Sequence, residues 1–109
     1  MSFNVLYTDN FERELKRLAK KHKSLKKDLS ELIAELEENP QRGNPIGNNC
    51  YKIRLAITSK GKGKSGGARV ITHVYITGRL IYLLSIYDKS EQDTISEKVI
   101  LNLVRDILK

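Results

Sequence analysis

The sequence predicts an α+β domain in the order β-α-α-β-β-β-α, a small and mainly antiparallel sheet with helices on one face. Three observations lead there. Apolar residues recur with helical spacing between residues 9 and 38, and the spacing drops to two between residues 50 and 87. It becomes helical again after residue 94. At 109 residues the chain has room for one domain, spanning 1–109, with a single modest core.

Phe3, Val5 and Tyr7 alternate with polar or less buried positions and predict a short opening strand. Asp9 stands three before Glu12, the spacing of a capping box, and Phe11, Leu15, Leu18 and Ala19 then form one apolar stripe. Ser24 is placed to cap a second helix carrying Leu25, Leu29, Leu32, Ile33 and Leu36. The Lys and Glu residues on the other faces, Glu31 and Glu35 among them, read as solvated surface, and His22 sits at the negative end of the first helix. Asn39-Pro40 ends the helical part, and QRGNPIGNN is a loop of turn formers.

In CYKIRLAI, Tyr51, Ile53, Leu55 and Ile57 share one strand face, and Lys52 and Arg54 share the other. GARVITHVYIT is the next strand, and Thr77-Gly78 turns it into RLIYLLSIY, so an antiparallel meander is expected. Thr94 and Glu97 form another capping box, opening a helix with Ile95, Val99, Ile100, Leu103, Ile107 and Leu108. Leu101 and Val104 widen its apolar surface, so it either packs deeply or offers a face to a partner.

Apolar residues make up 39% and charged residues 30%, an ordinary globular mixture. No apolar run approaches the roughly 20 residues of a membrane span, so no membrane partner is expected. MSFNVLYTDNFEREL lacks the basic start and apolar centre of a signal peptide, which points to the cytoplasm. The lone Cys50 rules out an internal disulfide and reads as a small apolar residue at a strand start.

The net charge of +7 is unevenly placed. Residues 1–38 carry eight acids and eight bases, and residues 88–109 carry five acids and four bases. Between them stand eight bases and no acid: Arg42, Lys52, Arg54, Lys60, Lys62, Lys64, Arg69 and Arg79. That asymmetry predicts a polyanionic partner, nucleic acid before membrane. SKGKGKSGGARVI concentrates it on mobile backbone. Gly63-Lys64-Ser65 matches the end of the phosphate-binding G-x-x-x-x-G-K-[ST] loop. The first glycine of that motif falls on Thr58, however, and the chain continues into a strand where the motif needs a helix. Nucleotide triphosphate binding is excluded. The remaining reading is a hairpin loop whose lysines track a phosphate backbone, its glycines allowing close approach. Lys52 and Arg54 on one strand, Arg69 on the next, and Tyr87 and Lys89 on the third would ring one patch of sheet beside it. Like charges on one face cost stability unless an anion is bound there.

The segments CYKIRL, SKGKGKSGGARVI and IYLLSIYDKSE resemble the RelE/HigB branch of the RelE/ParE toxin superfamily, the toxin half of bacterial type II toxin–antitoxin pairs. The resemblance runs through the whole chain, although only residues 50–91 carry specific motifs. It implies the same element order and a ribosome-dependent endoribonuclease, an mRNA interferase that is neutralised by a cognate antitoxin. A complex with that antitoxin would oligomerise and reach operator DNA through the antitoxin. By the resemblance, Lys52 and Arg54 fall on the paired basic positions of the K-I-[KR]-L strand and Arg69 on the arginine opening the next. Lys89 takes a position often filled by arginine, and Tyr87 stands in for a tyrosine expected where this sequence has Ile95.

The implied reaction is attack of a ribose 2′-OH on the adjacent phosphorus. Arg54 and Arg69 suit the charged pentavalent centre, Lys52 the base, Lys89 the acid, and Tyr87 base stacking or a share of the proton work. Lys60, Lys62 and Lys64 are the expected RNA anchors. No His/Cys/Asp group has metal-ligand spacing, so neither metal nor cofactor is expected. His73 has a suitable free pKa but lies roughly 13 Å along its strand from Arg69 and is read as structural. Two other readings compete: a ParE-like toxin that inhibits DNA gyrase without cutting RNA, and a non-catalytic RNA-binding module. The few exposed aromatics argue against the second, since single-strand readers stack bases on them.

Overall fold

The structure, a computed structural model, describes residues 2–61 and 63–108. A strand β1 (Asn4–Tyr7) leads into α1 (Asp9–Lys21) and α2 (Leu25–Glu38). Four strands follow, β2 (Asn44–Pro45), β3 (Cys50–Leu55), β4 (Ala68–Tyr75) and β5 (Leu80–Asp88), and then α3 (Glu97–Ile107). The α+β class and the expected order hold, with β2 added as a two-residue edge strand inside the QRGNPIGNN loop. An edge tolerates Pro45, which has no N–H to donate to a ladder.

The helix starts differ from the capping boxes expected. Thr8, one residue before Asp9, caps α1: it is extended, and its hydroxyl oxygen accepts from the Phe11 N–H at 3.2 Å. Ser96, two residues after Thr94, caps α3 by accepting from the Val99 N–H at 3.2 Å. Ser24 does precede α2 but caps nothing with its side chain, which donates to the Asp28 carboxylate at 2.8 Å.

The sheet order is β1-β5-β4-β3-β2. β3, β4 and β5 form the expected antiparallel meander, while β1 joins β5 in parallel, so the sheet is mixed. Ile53, Val70 and Ile86 make one cross-strand row and pack with Phe11, Leu18, Leu29 and Leu32 of α1 and α2. Their strand neighbours Ile71 and Tyr87 belong to a second cluster with Ile100 and Val104 of α3. Side chains alternate along a strand, so the second cluster lies on the opposite face. Two helices therefore cover one face and one covers the other, where the pattern suggested a single face. The broad apolar surface of α3 is only half used: Val99 and Leu101 remain exposed. Among the described residues no helix is long and apolar enough to cross a membrane.

Where β1 ends, the rim of β5 would be left bare. The register there slips, Thr72 facing Leu83 and Ile71 facing Ser85, so Leu84 is an extra residue. Side chains of α1 satisfy the exposed backbone. Asn10 Nδ2 donates to the Leu84 carbonyl at 2.9 Å, and Glu14 Oε1 accepts from Ser85 Oγ at 2.8 Å and the Ile86 N–H at 3.3 Å.

Candidate active site

Strand pairing puts Arg54 opposite Arg69, and Arg69 opposite Tyr87, in one row across β3, β4 and β5. Lys52 lies on the same face two residues along, opposite Ile71. This face is the one α3 covers, beyond the reach of its packed residues. Two arginines at directly opposed positions repel, and the structure separates them by burial. Arg54 is exposed and makes no hydrogen bond or ion pair among the described residues. Arg69 is only 6% exposed. Its Nη1 donates to the carbonyls of Lys64 at 3.0 Å and Ala68 at 3.1 Å, and Nη2 to that of Ser65 at 3.3 Å. Arg69 thus holds the basic loop from beneath.

Tyr87 is buried under this row, and its hydroxyl completes no hydrogen bond among the described residues, although Thr94 lies beside it. Burial raises its pKa despite the nearby charges of Arg69 and Lys89, so the phenol keeps its proton and has no open ring face for stacking in this state. Lys89 follows the end of β5. Its Nζ donates to the Asp93 carbonyl at 3.1 Å and pairs with the Asp93 carboxylate. The hydrogen bond from Lys89 is the main reason Asp93 sits below its ordinary pKa, and Lys52 adds to it. Asp93 is therefore a site residue that sequence reasoning missed. The acid-free window stops at Tyr87, and nothing in the spacing indicates that the next turn folds back beside Lys52.

The loop between β3 and β4 has a pinned base. A single 3-10 turn, Thr58–Lys60, opens it. Asp28 accepts from the Thr58 N–H at 2.9 Å and Thr58 Oγ1 at 2.6 Å. The Lys60 side chain is 13% exposed, and its Nζ donates to Asp88 Oδ1 at 2.9 Å. Asp88 also accepts from the Ser90 N–H and hydroxyl and meets His22 Nε2 at 3.0 Å. Burial opposes ionisation of Asp88, but the hydrogen bonds from Ser90, Lys60 and His22 outweigh it and hold the carboxyl well below the usual range. Of the three expected anchors, Lys60 is thus a half-buried tie. Lys64 is exposed, and Lys62 lies outside the described residues. The glycines divide likewise. Gly61 and Gly63 take left-handed backbone at φ 70° and 67°, whereas a Cβ on Gly67 would meet the Leu55 carbonyl oxygen at 2.2 Å.

A groove of about 400 Å³ on this surface is lined by Arg42, Lys52, Arg54 and Lys64, with no acid among its lining residues. Arg42 Nε is paired with Glu35 at 2.9 Å, leaving Lys52, Arg54 and Lys64 to face an anion. His73 lies outside this group, opposite Cys50, half-buried with its pKa lowered by burial. Burial pushes the Cys50 thiol up to about 11, so it is unreactive. Ile95 packs against the second cluster.

A second basic surface also exists. Lys16, Lys20, Lys23 and Lys26 line a groove of about 900 Å³ floored by Tyr7, Leu15 and Ala19, with Glu12 the one acid in its lining. The helix charges balance in number but are segregated in space.

The model of the RelE toxin of the RelE/RelB toxin–antitoxin system matches residues 10–105. Among solved structures, an arginine-to-alanine double mutant of Escherichia coli toxin RelE in the free state superposes with a TM-score of 0.64 at 21% identity, over 98% of this chain and 99% of that one. The toxin–antitoxin complex RelBE2 of Mycobacterium tuberculosis matches with a TM-score of 0.61 at 16% identity, over 81% of this chain and 99% of that one. The intact E. coli RelBE complex matches with a TM-score of 0.58 at 20% identity, over 80% and 96%. At such identities the solved structures establish a shared fold, and the match over nearly the whole chain establishes more: this protein belongs to the RelE toxin family of toxin–antitoxin systems.

Proposed function

We propose that this toxin is an endoribonuclease that cuts mRNA on the ribosome and is silenced by a cognate antitoxin. The observation that carries the reading is the row of Arg54, Arg69 and Tyr87 beside a groove with three cations free to meet an anion. An RNA strand would lie along Lys52, Arg54 and Lys64, Lys62 contributing from the same loop. The 2′-oxygen forms a bond to phosphorus as the bond from phosphorus to the 5′-oxygen breaks, leaving a 2′,3′-cyclic phosphate. Lys52 takes the 2′-OH proton, and Lys89 or Tyr87 returns one to the departing 5′-oxygen. Arg54 grips the equatorial oxygens, joined by Arg69 once the loop carbonyls release it. Lys60 keeps the base of the loop in place through Asp88.

Purified protein added to programmed ribosomes and to naked RNA tests this. Cleavage is expected on ribosomes alone, and Arg54→Ala is expected to slow it by about 100- to 1,000-fold. No cleavage of either substrate overturns the reading, and DNA damage without translation arrest would favour gyrase inhibition.

A further inference from the structure

Two lysines that frame the site are tied to carboxylates, and the ties differ in kind. Lys60 meets Asp88, whose side chain is 4% exposed and is held by Ser90 and His22 as well. Lys89 meets Asp93, whose side chain is 91% exposed and has no other partner among the described residues. The turn beneath Asp93 is nonetheless fixed. The Asp88 carbonyl accepts from the Glu91 and Gln92 N–H groups at 3.0 Å, and the Glu91 carboxylate pairs with Arg17 at 3.4 Å and with Lys21. Freeing Lys89 therefore needs side-chain rotation at Asp93 and no unfolding. The pairing has a spatial consequence. Lys52, Arg54 and Lys64 line the cationic groove, and Lys89 is not among its lining residues. After the hydrogen bond and charge of Lys89, the charge of Lys52 also lowers the Asp93 pKa, so this one acid stands in the field of both lysines.

We propose that the Asp93 carboxylate stands in for an RNA phosphate at Lys89, holding the lysine out of the groove until a phosphate displaces it. The proposal rests on the reading of Lys89 as a proton donor at an RNA site. A carboxylate and a phosphodiester oxygen offer an ammonium group the same thing, a negative charge that accepts its hydrogen bonds. Which of them wins depends on what else holds each. Exposed pairs four residues apart are weak, and among the described residues only Lys89 holds the Asp93 carboxylate. An RNA phosphate backbone is held by Lys52, Arg54 and Lys64 in addition, so it draws on the whole groove. Asp88 offers no such exchange, because burial and its bonds to Ser90 and His22 fix it whatever Lys60 does. The resting protein thus keeps its acid beside the site, and substrate binding itself delivers Lys89 to the departing oxygen. The exchange moves no proton and breaks no covalent bond.

A double-mutant cycle tests this on RNA that is never cut. The probe is a single-stranded RNA oligonucleotide carrying 2′-methoxy groups, which has no nucleophile to react. Asp93→Asn, at an exposed position, should tighten its binding roughly two- to fivefold, the range of one exposed ion pair that no longer competes. In a Lys89→Gln background the same substitution should leave affinity nearly unchanged, since no lysine is left to withhold. Equal tightening in both backgrounds would mean that Asp93 only repels RNA, and it overturns the proposal. Cleavage on programmed ribosomes gives a second readout. Asp93→Asn should raise kcat/KM, with the gain in KM, because Lys89 has already left Asp93 in the bound complex. A fall in kcat/KM would mean that Asp93 aims Lys89 for the reaction, and it overturns the proposal too. A non-additive cycle in a protein that cuts nothing would keep the exchange and remove the ribonuclease reading.

Discussion

Arg54 and Arg69 face each other across two strands, yet their surroundings give them different work. Arg54 is exposed and has no partner among the described residues, so Arg54→Ala should leave thermal stability nearly unchanged, within about 0.5 kcal/mol, while RNA cleavage falls. Arg69 donates to three backbone carbonyls, two of them in the loop, from a buried position. Arg69→Ala should therefore lower cleavage and also destabilise the fold by roughly 1–3 kcal/mol, since those carbonyls lose their donors. Urea titration of the two variants separates the cases, and equal stability losses would contradict this division. Asp88 makes a third residue-level prediction. Its carboxyl is held below the ordinary 3.8 that an unfolded chain would show. As pH falls below that value the unfolded chain takes up a proton that the native state refuses, so stability contributed above about pH 4 is lost toward lower pH. Asp28, lowered by its bonds to Thr58 and Ser24 against the effect of burial, acts with the same sign. Asp88→Asn should flatten the acid limb of a plot of melting temperature against pH. At neutral pH it should cost roughly 1–3 kcal/mol, because the half-buried Lys60 ammonium loses its charged hydrogen-bond partner. An acid limb as steep as the wild type's would contradict it.

At the level of elements, periodicity revealed which segments are helix or strand and left open how they meet. The stripe of Phe11, Leu15 and Leu18 and the alternation of Ile53 and Leu55 follow from the spacing of apolar residues, and both elements form where that spacing puts them. A stripe states that a face is buried without naming the partner, so the side of the sheet taken by α3 was not legible. Caps were misplaced by one or two residues because Thr8 and Asp9, or Thr94 and Ser96, can each accept from a helix N–H, and the backbone decides between them. The ring of site residues was legible where it depends on strand alternation, as with Lys52 and Arg54. It was not legible where it depends on a long-range fold, as with Lys60 and Asp88, which are 28 residues apart. The same limit applies to the loop glycines, which look alike in SKGKGKSGGARVI. Gly67→Ala should disrupt the pairing of β3 and β4, because its Cβ would collide with backbone at Leu55. Gly63→Ala meets open space and should cost only on the order of 1 kcal/mol through its left-handed φ. Melting temperatures that fall equally for both variants would show that the collision is relieved by backbone movement.

Across the whole molecule, the charge of +7 resolves into two basic surfaces separated by the sheet and its helices. The groove at Lys52, Arg54 and Lys64 lies beside the row of Arg54, Arg69 and Tyr87, while the groove at Lys16 and Lys20 has an apolar floor and Arg13 in its lining. Binding of single-stranded RNA releases counterions, so log affinity falls linearly with log salt by about 0.7 for each phosphate neutralised. The proposed function places the phosphates in the first groove. Replacing Arg54 and Lys64 together with glutamine should then shrink the slope by about 1.4, while the same change at Lys16 and Lys20 leaves it in place. The measurement is RNA affinity over a series of salt concentrations, with circular dichroism to confirm the fold of each variant. A slope that responds only to the α1 pair would move the RNA to the helical groove and detach the arginine row from catalysis.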